Sequence, residues 1–261
     1  MDLEPLVRRI FRRKASLPGN PNMLLHDPLE SPSPKEHELV SKPKSSESEL
    51  KGFAGKFIVL KDDGAAIFKP DKRWGREQTR SERAAYLVSR FLNFDFVPPT
   101  VLRSVDSESG SLQEFIPDAQ TYFAADSSVH LQNEDQKFAI WIFDYLIWNS
   151  DRHGSNLLIK DNRIYAIDHE ASFRNIWSDK YEEIEYGRYY DKEIPGEIVD
   201  RIETFLQDDF RQKLLKRRLN ELLYKEEVEA FFRRVEHLGK IFKVRKILRR
   251  TDLNNYSPDV T

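Results

Sequence analysis

Cysteine is absent from the 261 residues, which excludes disulfides, thiol nucleophiles and cysteine-based zinc sites. No apolar run approaches the ~20 residues that span a bilayer. The N-terminus also lacks the apolar core of a signal peptide, so the default expectation is a cytoplasmic protein. Charge of one sign is missing too: 42 Lys and Arg face 44 Asp and Glu, a net charge of −2. Such a balance gives no global reason to bind nucleic acid, and no specific nucleic-acid partner is expected. No Gly-x-Gly-x-x-Gly occurs; Gly52 and Gly55, near the start of a predicted strand, are a weak signal for backbone N–H groups that cradle phosphate. A core, by contrast, is affordable: 39% of the chain is hydrophobic and 17 residues are Phe, in a length that fits one or two domains.

One stretch organises the rest. It runs Asn149-Ser-Asp-Arg-His-Gly-Ser-Asn156, then Leu-Leu-Ile-Lys-Asp-Asn-Arg-Ile-Tyr-Ala-Ile-Asp168-His-Glu. Leu157 to Lys160 and Arg163 to Ile167 read as short strands rich in branched apolar residues, and the pair Asp161-Asn162 between them is a hairpin turn signal. An antiparallel hairpin brings its outer ends together, so the Asn156 amide and the Asp168 carboxylate converge. Oxygen ligands so placed suit Mg²⁺, which takes its remaining ligands from phosphate and water. Asp151, five residues before Asn156, lies in the entering loop behind an apolar helical run, Phe138 to Trp148. Asp, five on Asn, hairpin, Asp is the order of parts in a kinase active site, where the first Asp receives the hydroxyl proton and the Asn and last Asp hold metal.

The form Asp151-Arg152-His153-x-x-Asn156, with the second Asp followed by His169-Glu170, resembles the phosphatidylinositol 3-/4-kinases, the HipA toxin kinases and the Golgi secretory-pathway kinases. Leu-Lys-Gly-Phe at 50–53, Ile67-Phe-Lys-Pro70, Arg76-Glu-Gln78 and Phe94-x-x-Val-Pro-Pro-Thr-Val101 are similar to the N-lobe of the Golgi group, and Phe-Lys-Pro also to type II phosphatidylinositol 4-kinases. The similarity spans roughly residues 50–175. It implies a bilobal, protein-kinase-like α+β fold with a β-rich N-lobe and a mainly helical C-lobe. It also implies ATP, a divalent metal (Mg²⁺ or Mn²⁺) and phosphoryl transfer to a hydroxyl-bearing acceptor. Carried over by position, Lys69 binds phosphate, Glu82 orients it, Asp151 is the catalytic Asp, and Asn156 and Asp168 hold metal. His153 supports the loop or stabilises charge on the transferring group. The Golgi enzymes are disulfide-rich and secreted and lack an Asn at the position of Asn156; an intracellular relative of the three groups is the expectation.

In chain order, residues 1–14 carry Leu3, Leu6, Val7, Ile10 and Phe11 at helical spacing among five basic and two acidic residues. This is a terminal helix packed on the body or frayed, or a basic face for an anionic membrane. From Ala15 the composition turns to Pro, Ser, Lys and Glu, so residues 1–48 read as a helix and flexible linker. The N-lobe and hinge occupy 49–117. Strands are predicted over Phe53–Leu60 and Ala65–Lys69, joined at Lys61-Asp-Asp-Gly64. A helix over Ser81–Leu92 carries Glu82 and turns Ala85, Leu87, Val88, Phe91 and Leu92 to a core. Lys69 closing a strand and Glu82 on a helix match the pair that holds ATP phosphates; Glu77, read as lying in the connecting loop, is the alternative. After a strand over Val97–Ser104, Ser111–Pro117 reads as the strand and hinge linking the lobes, whose backbone, at Gln113, Glu114 and Ile116, would hydrogen-bond adenine. Ile58, Ile67, Leu158 and Ile167 are candidate adenine walls or ordinary core.

The C-lobe occupies 118–261. Helices are predicted from Ile194 to Leu206, with Pro195 in the first turn, from Phe210 to Leu223 and from Glu226 to Ile241, the last two with an apolar stripe at three-four spacing that begins at Phe210. The basic run Lys240–Arg250 is a solvated helix face or a contact for an anionic partner or membrane. Tyr181, Tyr186, Tyr189 and Tyr190 lie where an activation or substrate loop would be. The acceptor expected first is protein Ser/Thr, then a phosphoinositide or sugar; a nucleotide-binding pseudokinase and transfer of AMP are the other readings.

Overall fold

Alternation along the chain builds the first layer. In the computed structural model, residues 31–49, 55–61, 64–71, 76–124, 133–173, 189–249 and 252 are described. Strands β1 (Lys44–Glu49), β2 (Lys56–Leu60), β3 (Ala65–Pro70), β4 (Thr100–Val105) and β5 (Glu108–Glu114) form an antiparallel sheet in the order β1-β2-β3-β5-β4. Ile58, Leu60, Ala66, Phe68, Val101, Val105 and Leu112 line one face and close a small core with Leu39. Because successive side chains alternate between faces, this parity puts Phe57, Ile67 and Lys69 on the opposite face, with Phe57 and Ile67 register partners. Ile58 therefore belongs to the core and not to a nucleotide wall; Phe57, edge-on to Phe115 at 5.0 Å, is on the Lys69 face. Gly110 lies across from Pro70, and a Cβ there would collide with the Lys69 carbonyl, so the close approach of β5 to β3 requires glycine.

The expected linker ends earlier than residue 48. Helix α1 (Pro34–Ser41) starts with a capping box, in which the Ser33 hydroxyl accepts from the Glu36 N–H and the Glu36 carboxylate accepts from the Ser33 N–H, with Pro34 in the first turn. Strand β1 follows and pairs with β2. Over residues 33–49, the Pro/Ser/Lys/Glu composition that reads as an arm is that of a capped helix and an edge strand. Residues 1–14, Gly52, Tyr181 and Tyr186 lie outside the described residues.

Helix α2 (Arg76–Phe91) begins at Arg76, five residues before the predicted start, so Glu77 is helical in backbone; its side chain is outside the described set. Ala85, Leu87, Val88, Phe91 and Leu92 are all buried, as predicted. They join the larger core with α3 (Glu134–Ile147), α4 (Gly196–Gln207), α5 (Asp209–Asn220) and α6 (Lys225–Val244). A second sheet joins β6 (Gln120–Thr121), ahead of α3 in the chain, to β7 (Leu157–Lys160) and β8 (Arg163–Ala166), which lie between α3 and α4. Its β7–β8 turn puts Asp161 at φ 50° and Asn162 at φ 58°, the two positive values that Asp and Asn tolerate in a tight hairpin.

Four C-terminal expectations are corrected. Phe210 is 53% exposed: α5 starts at Asp209, so this residue lies in the helix's first turn, ahead of the buried Leu214, Leu215 and Leu219. The run from Lys240 is not one helical face: α6 ends at Val244, Ile247 bridges to Glu193, and Leu248 is fully buried. Tyr189 is no free loop residue; it is buried against Phe138 and Trp141 at 4.9 and 5.6 Å. Pro195 caps α4 rather than lying within it. No helix among the described residues is long and apolar enough to cross a membrane.

Candidate active site

Four charged side chains meet where the two sheets and α2 converge. Lys69 comes from the cleft face of β3, Glu82 from α2, and Asp168 and Glu170 from the chain leaving β8. The Lys69 ammonium donates to Glu82 Oε1 and Asp168 Oδ1, and to Glu170 Oε2 at 3.2 Å. Lys69 and Glu82 are both buried, at 6% and 2% exposure, so this pair is shielded from solvent screening. Burial works against the Lys69 charge, but Glu82, Asp168 and Glu170 outweigh it and raise its pKa. Burial also opposes the Glu82 carboxylate, yet Lys69 and then His169 hold its pKa far below the ordinary range.

The cluster has more anions than cations. The carboxylates of Glu82, Asp168 and Glu170 approach within 4.8 Å of one another around one ammonium. Burial pushes the Glu170 carboxyl up, Lys69 pulls it down, and Asp168 and Glu82 push it up again, to about 7. Glu82 Oε2 is buried without a hydrogen-bond partner. His169 Nδ1 lies 3.7 Å from it, beyond hydrogen-bonding range. Burial lowers the pKa of His169 and so favours the neutral ring, which packs edge-on against Phe143. Surplus carboxylate oxygens of this kind fit a hard divalent cation.

The hairpin ends converge as expected. Ile167 N–H donates to the Asn156 carbonyl at 3.0 Å, extending the β7–β8 ladder to the residue before Asp168. Asp168 sits at φ 65°, a left-handed conformation that a non-glycine residue adopts at some cost. Asn156 is buried, and its Nδ2 donates to the Asp151 carbonyl at 2.8 Å, which leaves the amide oxygen on the other side. Asp151 and His153 are exposed at the loop surface. His153 Nδ1 accepts from the Ser155 N–H at 3.3 Å, so this ring supports the turn. Gly154 lies under Phe123, whose ring would be 2.8 Å from a Cβ there.

Two residues that the sequence reading passed over hold this loop. Arg152 is buried and forked onto Asp144 of α3, Nε to Oδ2 at 2.9 Å and Nη2 to Oδ1 at 3.1 Å. Its Nη1 also donates to the carbonyls of Asn156 and Ile167, at 2.7 and 2.6 Å. One guanidinium therefore ties the loop, both hairpin ends and α3 together, using the planar fork that Lys lacks. Asn149 completes the brace, Nδ2 to Asp144 Oδ1 at 3.1 Å and Oδ1 to the Asp151 N–H at 3.2 Å. The signal was an Asp eight residues before an Arg in the loop motif, with the Asp inside an otherwise apolar helix. Glu170 was passed over as well, although it stands two residues after Asp168.

Two side chains of the hinge segment are used within the N-lobe. Gln113 turns into the sheet, Nε2 to Thr100 Oγ1 at 2.9 Å. Glu114 donates its N–H to Pro99 at 2.8 Å and pairs its carboxylate with Lys35 of α1 at 3.1 Å. Their side chains brace the sheet. Ile67, Leu158, Ile167 and Ile116 are half-buried.

No family model matches the chain, and no curated protein sequence does. Solved structures do. The Golgi casein kinase with Mn and ADP bound matches with a TM-score of 0.57 at 18% identity, over 82% of this chain and 78% of that one. A second structure of the Golgi casein kinase gives 0.56 at 18%, over 82% and 78%. The Helicobacter pylori proinflammatory kinase CtkA gives 0.50 at 12%, over 84% of this chain and 99% of that one. The fold is thus a bilobal, kinase-like α+β fold, with the antiparallel sheet as N-lobe and the helices as C-lobe.

Proposed function

We propose that the chain is an ATP-dependent phosphotransferase that moves the γ-phosphoryl group to a hydroxyl. The observation that carries this reading is Lys69 of the N-lobe sheet joined at once to Glu82 of α2 and Asp168 at the hairpin end. On the kinase template, Glu82 holds the ammonium where it can meet phosphate oxygens. Asn156 and Asp168 would hold Mg²⁺ or Mn²⁺, with Glu170 beside them; such an ion neutralises phosphate charge when bound. The Golgi casein kinase structure, which contains Mn and ADP, supports a nucleotide and a divalent metal here. Ile116 is the hinge position that adenine would meet.

In the transfer step, the acceptor oxygen forms a bond to the γ-phosphorus as the bond to the β-bridging oxygen breaks and ADP leaves. The hydroxyl proton passes to the exposed Asp151 carboxylate, which orients the attacking oxygen. Arg152 keeps Asp151 in register with Asn156 and Ile167, so most of the effect comes from positioning and electrostatics. Protein Ser/Thr is the acceptor we place first, with a phosphoinositide or sugar hydroxyl next. Asn156 in its buried position supports a loop of the phosphatidylinositol-kinase and HipA type.

Incubation of the pure protein with γ-labelled ATP, Mg²⁺ or Mn²⁺, and protein, phosphoinositide or sugar acceptors tests the reading. Label should appear on one acceptor class and disappear with Asp168→Ala. Label passing from α-labelled ATP instead would make the enzyme an AMP transferase, and no metal-dependent nucleotide binding at all would end the proposal.

A further inference from the structure

The segment ahead of the kinase-like region is wired to the back of the helix that carries Glu82. Glu36 of α1 is 1% exposed although it is a carboxylate. Its Oε1 accepts from Arg83 Nη1 at 2.7 Å; its Oε2 accepts from Arg90 Nη1 at 2.8 Å, Tyr86 Oη at 3.1 Å and the Ser33 N–H at 2.8 Å. Arg83, Tyr86 and Arg90 are spaced three and four apart, so they form one stripe of α2, and Glu82 projects about 100° around the helix from Arg83. The other ends of these groups are anchored too. Arg83 Nη1 also reaches the Thr100 carbonyl of β4 at 2.6 Å, and Arg90 Nη2 the Ser31 carbonyl at 2.8 Å. The far end of α1 is fixed by Arg103 of β4, whose Nη1 donates to the carbonyls of Leu39 and Lys42 at 2.7 and 2.9 Å. Lys35 pairs with Glu114, the last residue of β5, at 3.1 Å.

We propose that Ser33–Lys42 is a built-in clamp for α2, and that Glu36 is a positioning residue that fixes Arg83 and through it sets Glu82 against Lys69. The clamp rests on the reading of Lys69 and Glu82 as the phosphate-holding pair. Its logic is mechanical. The later turns of α2 are anchored by apolar side chains in the large core: Leu87, Val88 and Phe91 are buried there. The earlier turns, which carry Glu82, hold fewer large apolar side chains and depend on polar anchors. Those are Thr79 to Asp71 at 2.5 Å, Ser81 to the Ser172 carbonyl at 3.4 Å, and the Glu36–Arg83 bond. Of the three, only the Glu36–Arg83 bond joins two charged groups, and its carboxylate is almost fully buried. It is also adjacent to Glu82 in sequence, so a displaced Arg83 displaces Glu82. A clamp of this kind makes residues outside the kinase-like stretch necessary for its chemistry.

Full-length Glu36→Gln, which keeps the shape and removes the charge, is compared with wild type well below its own Tm by amide exchange and by transfer from γ-labelled ATP. Exchange in the first turns of α2 should rise by about tenfold or more while α3 stays protected, as local opening requires. Transfer should fall by about tenfold. In a Glu82→Gln background, Glu36→Gln should cost less than about twofold more, because residues acting through one another are non-additive. Unchanged α2 exchange would overturn the clamp. So would a loss that multiplies in the Glu82→Gln background, since Glu36 would then act elsewhere. A uniform rise of exchange in α2 and α3 alike would make Glu36 a general stability residue and overturn it too. Arg83→Gln, which removes the Glu36–Arg83 bond from the helix side, is judged by the same readouts if Glu36→Gln does not fold. The exchange measurement needs no nucleotide, so a wild type that transfers nothing refutes the phosphotransferase reading separately while exchange still judges the clamp.

Discussion

Two buried charge clusters share helix α2, and they are built in opposite ways. Behind the helix, one carboxylate, Glu36, faces two guanidiniums, and the surplus donors reach backbone carbonyls at Thr100 and Ser31. In front of it, one ammonium, Lys69, faces three carboxylates, one carboxyl is pushed to about 7, and a buried carboxylate oxygen of Glu82 goes without a partner. The rear cluster is satisfied within the chain, as buried charges in a structural role must be. The front cluster holds excess negative charge beside a surface-exposed Asp151, an arrangement that a cation and a phosphate chain would complete. Burial alone does not separate structure from function here; completeness does.

The strongest way to break this comparison is to remove one carboxylate from each cluster. Asp168→Ala should cut phosphoryl transfer by at least ~10²-fold, the scale of losing one electrostatic stabiliser. It should also remove most of the rise in Tm that ATP with Mn²⁺ or Mg²⁺ confers by binding the folded state. Its apo Tm should stay close to wild type, because one of three mutually repelling carboxylates is lost. Thermal melts with and without nucleotide and metal measure both; a large apo destabilisation would show that the front cluster is structural as well.

Asp151→Ala sharpens the same contrast inside the active site. Asp151 is exposed and outside the Lys69 cluster, so nucleotide–metal affinity should be nearly normal while transfer falls by ~10²-fold, the lower range for a positioned acid–base group. Binding measured by calorimetry alongside turnover decides it. Equal losses in both would make Asp151 a nucleotide ligand.

The parts of this molecule written in neighbouring residues were readable. The hairpin announced itself because Asp161-Asn162 is a local turn and its strands are four residues long, so Asn156 and Asp168 had to meet. Lys69 at a strand end and Glu82 on a helix were readable as a pair through the order of the kinase motif, not through any spacing of their own. What stayed hidden was long-range. Nothing local distinguishes Glu36 from the solvated glutamates around it; its burial is created by Arg83 and Arg90, which lie 47 and 54 residues away. Arg152 was visible in the motif, but its partner Asp144 reads as one polar interruption in an apolar helix until the fold closes. Ile58 takes the core side of its two readings for a simpler reason: strand parity, not hydrophobicity, decides which side of β2 faces the cleft.

The rear cluster makes a smaller, measurable contribution to stability. Glu36→Gln removes the partner of two guanidiniums, a change that costs about 3–5 kcal/mol when all groups are fully buried. Both arginine side chains keep 17% exposure, so water offsets part of the loss and about 2 kcal/mol is expected. For a chain of this length that lowers Tm by roughly 4–8 °C. A denaturation midpoint within about 0.5 kcal/mol of wild type, the ordinary surface-substitution range, would place the cluster among solvated ion pairs.

The smallest effect is a pH dependence, and its sign is fixed by the same residue. Burial raises the Glu36 pKa, but Arg83, the Ser33 N–H and Arg90 together bring it below its ordinary value. The folded state therefore releases this proton at a lower pH than the unfolded chain does, near ~4.3. Between those two values the unfolded state binds more protons, so stability rises with pH there. The Glu36 contribution is complete above the unfolded value and drains away as pH falls through the folded one. Wild type should accordingly lose stability more steeply than Glu36→Gln as pH drops below about 4.3, and the two curves should converge at the acid end. Denaturant melts at several acid pH values give the two slopes. Parallel curves would mean that Glu36 titrates alike in the folded and unfolded chains, and that the arginines behind α2 do not hold its charge.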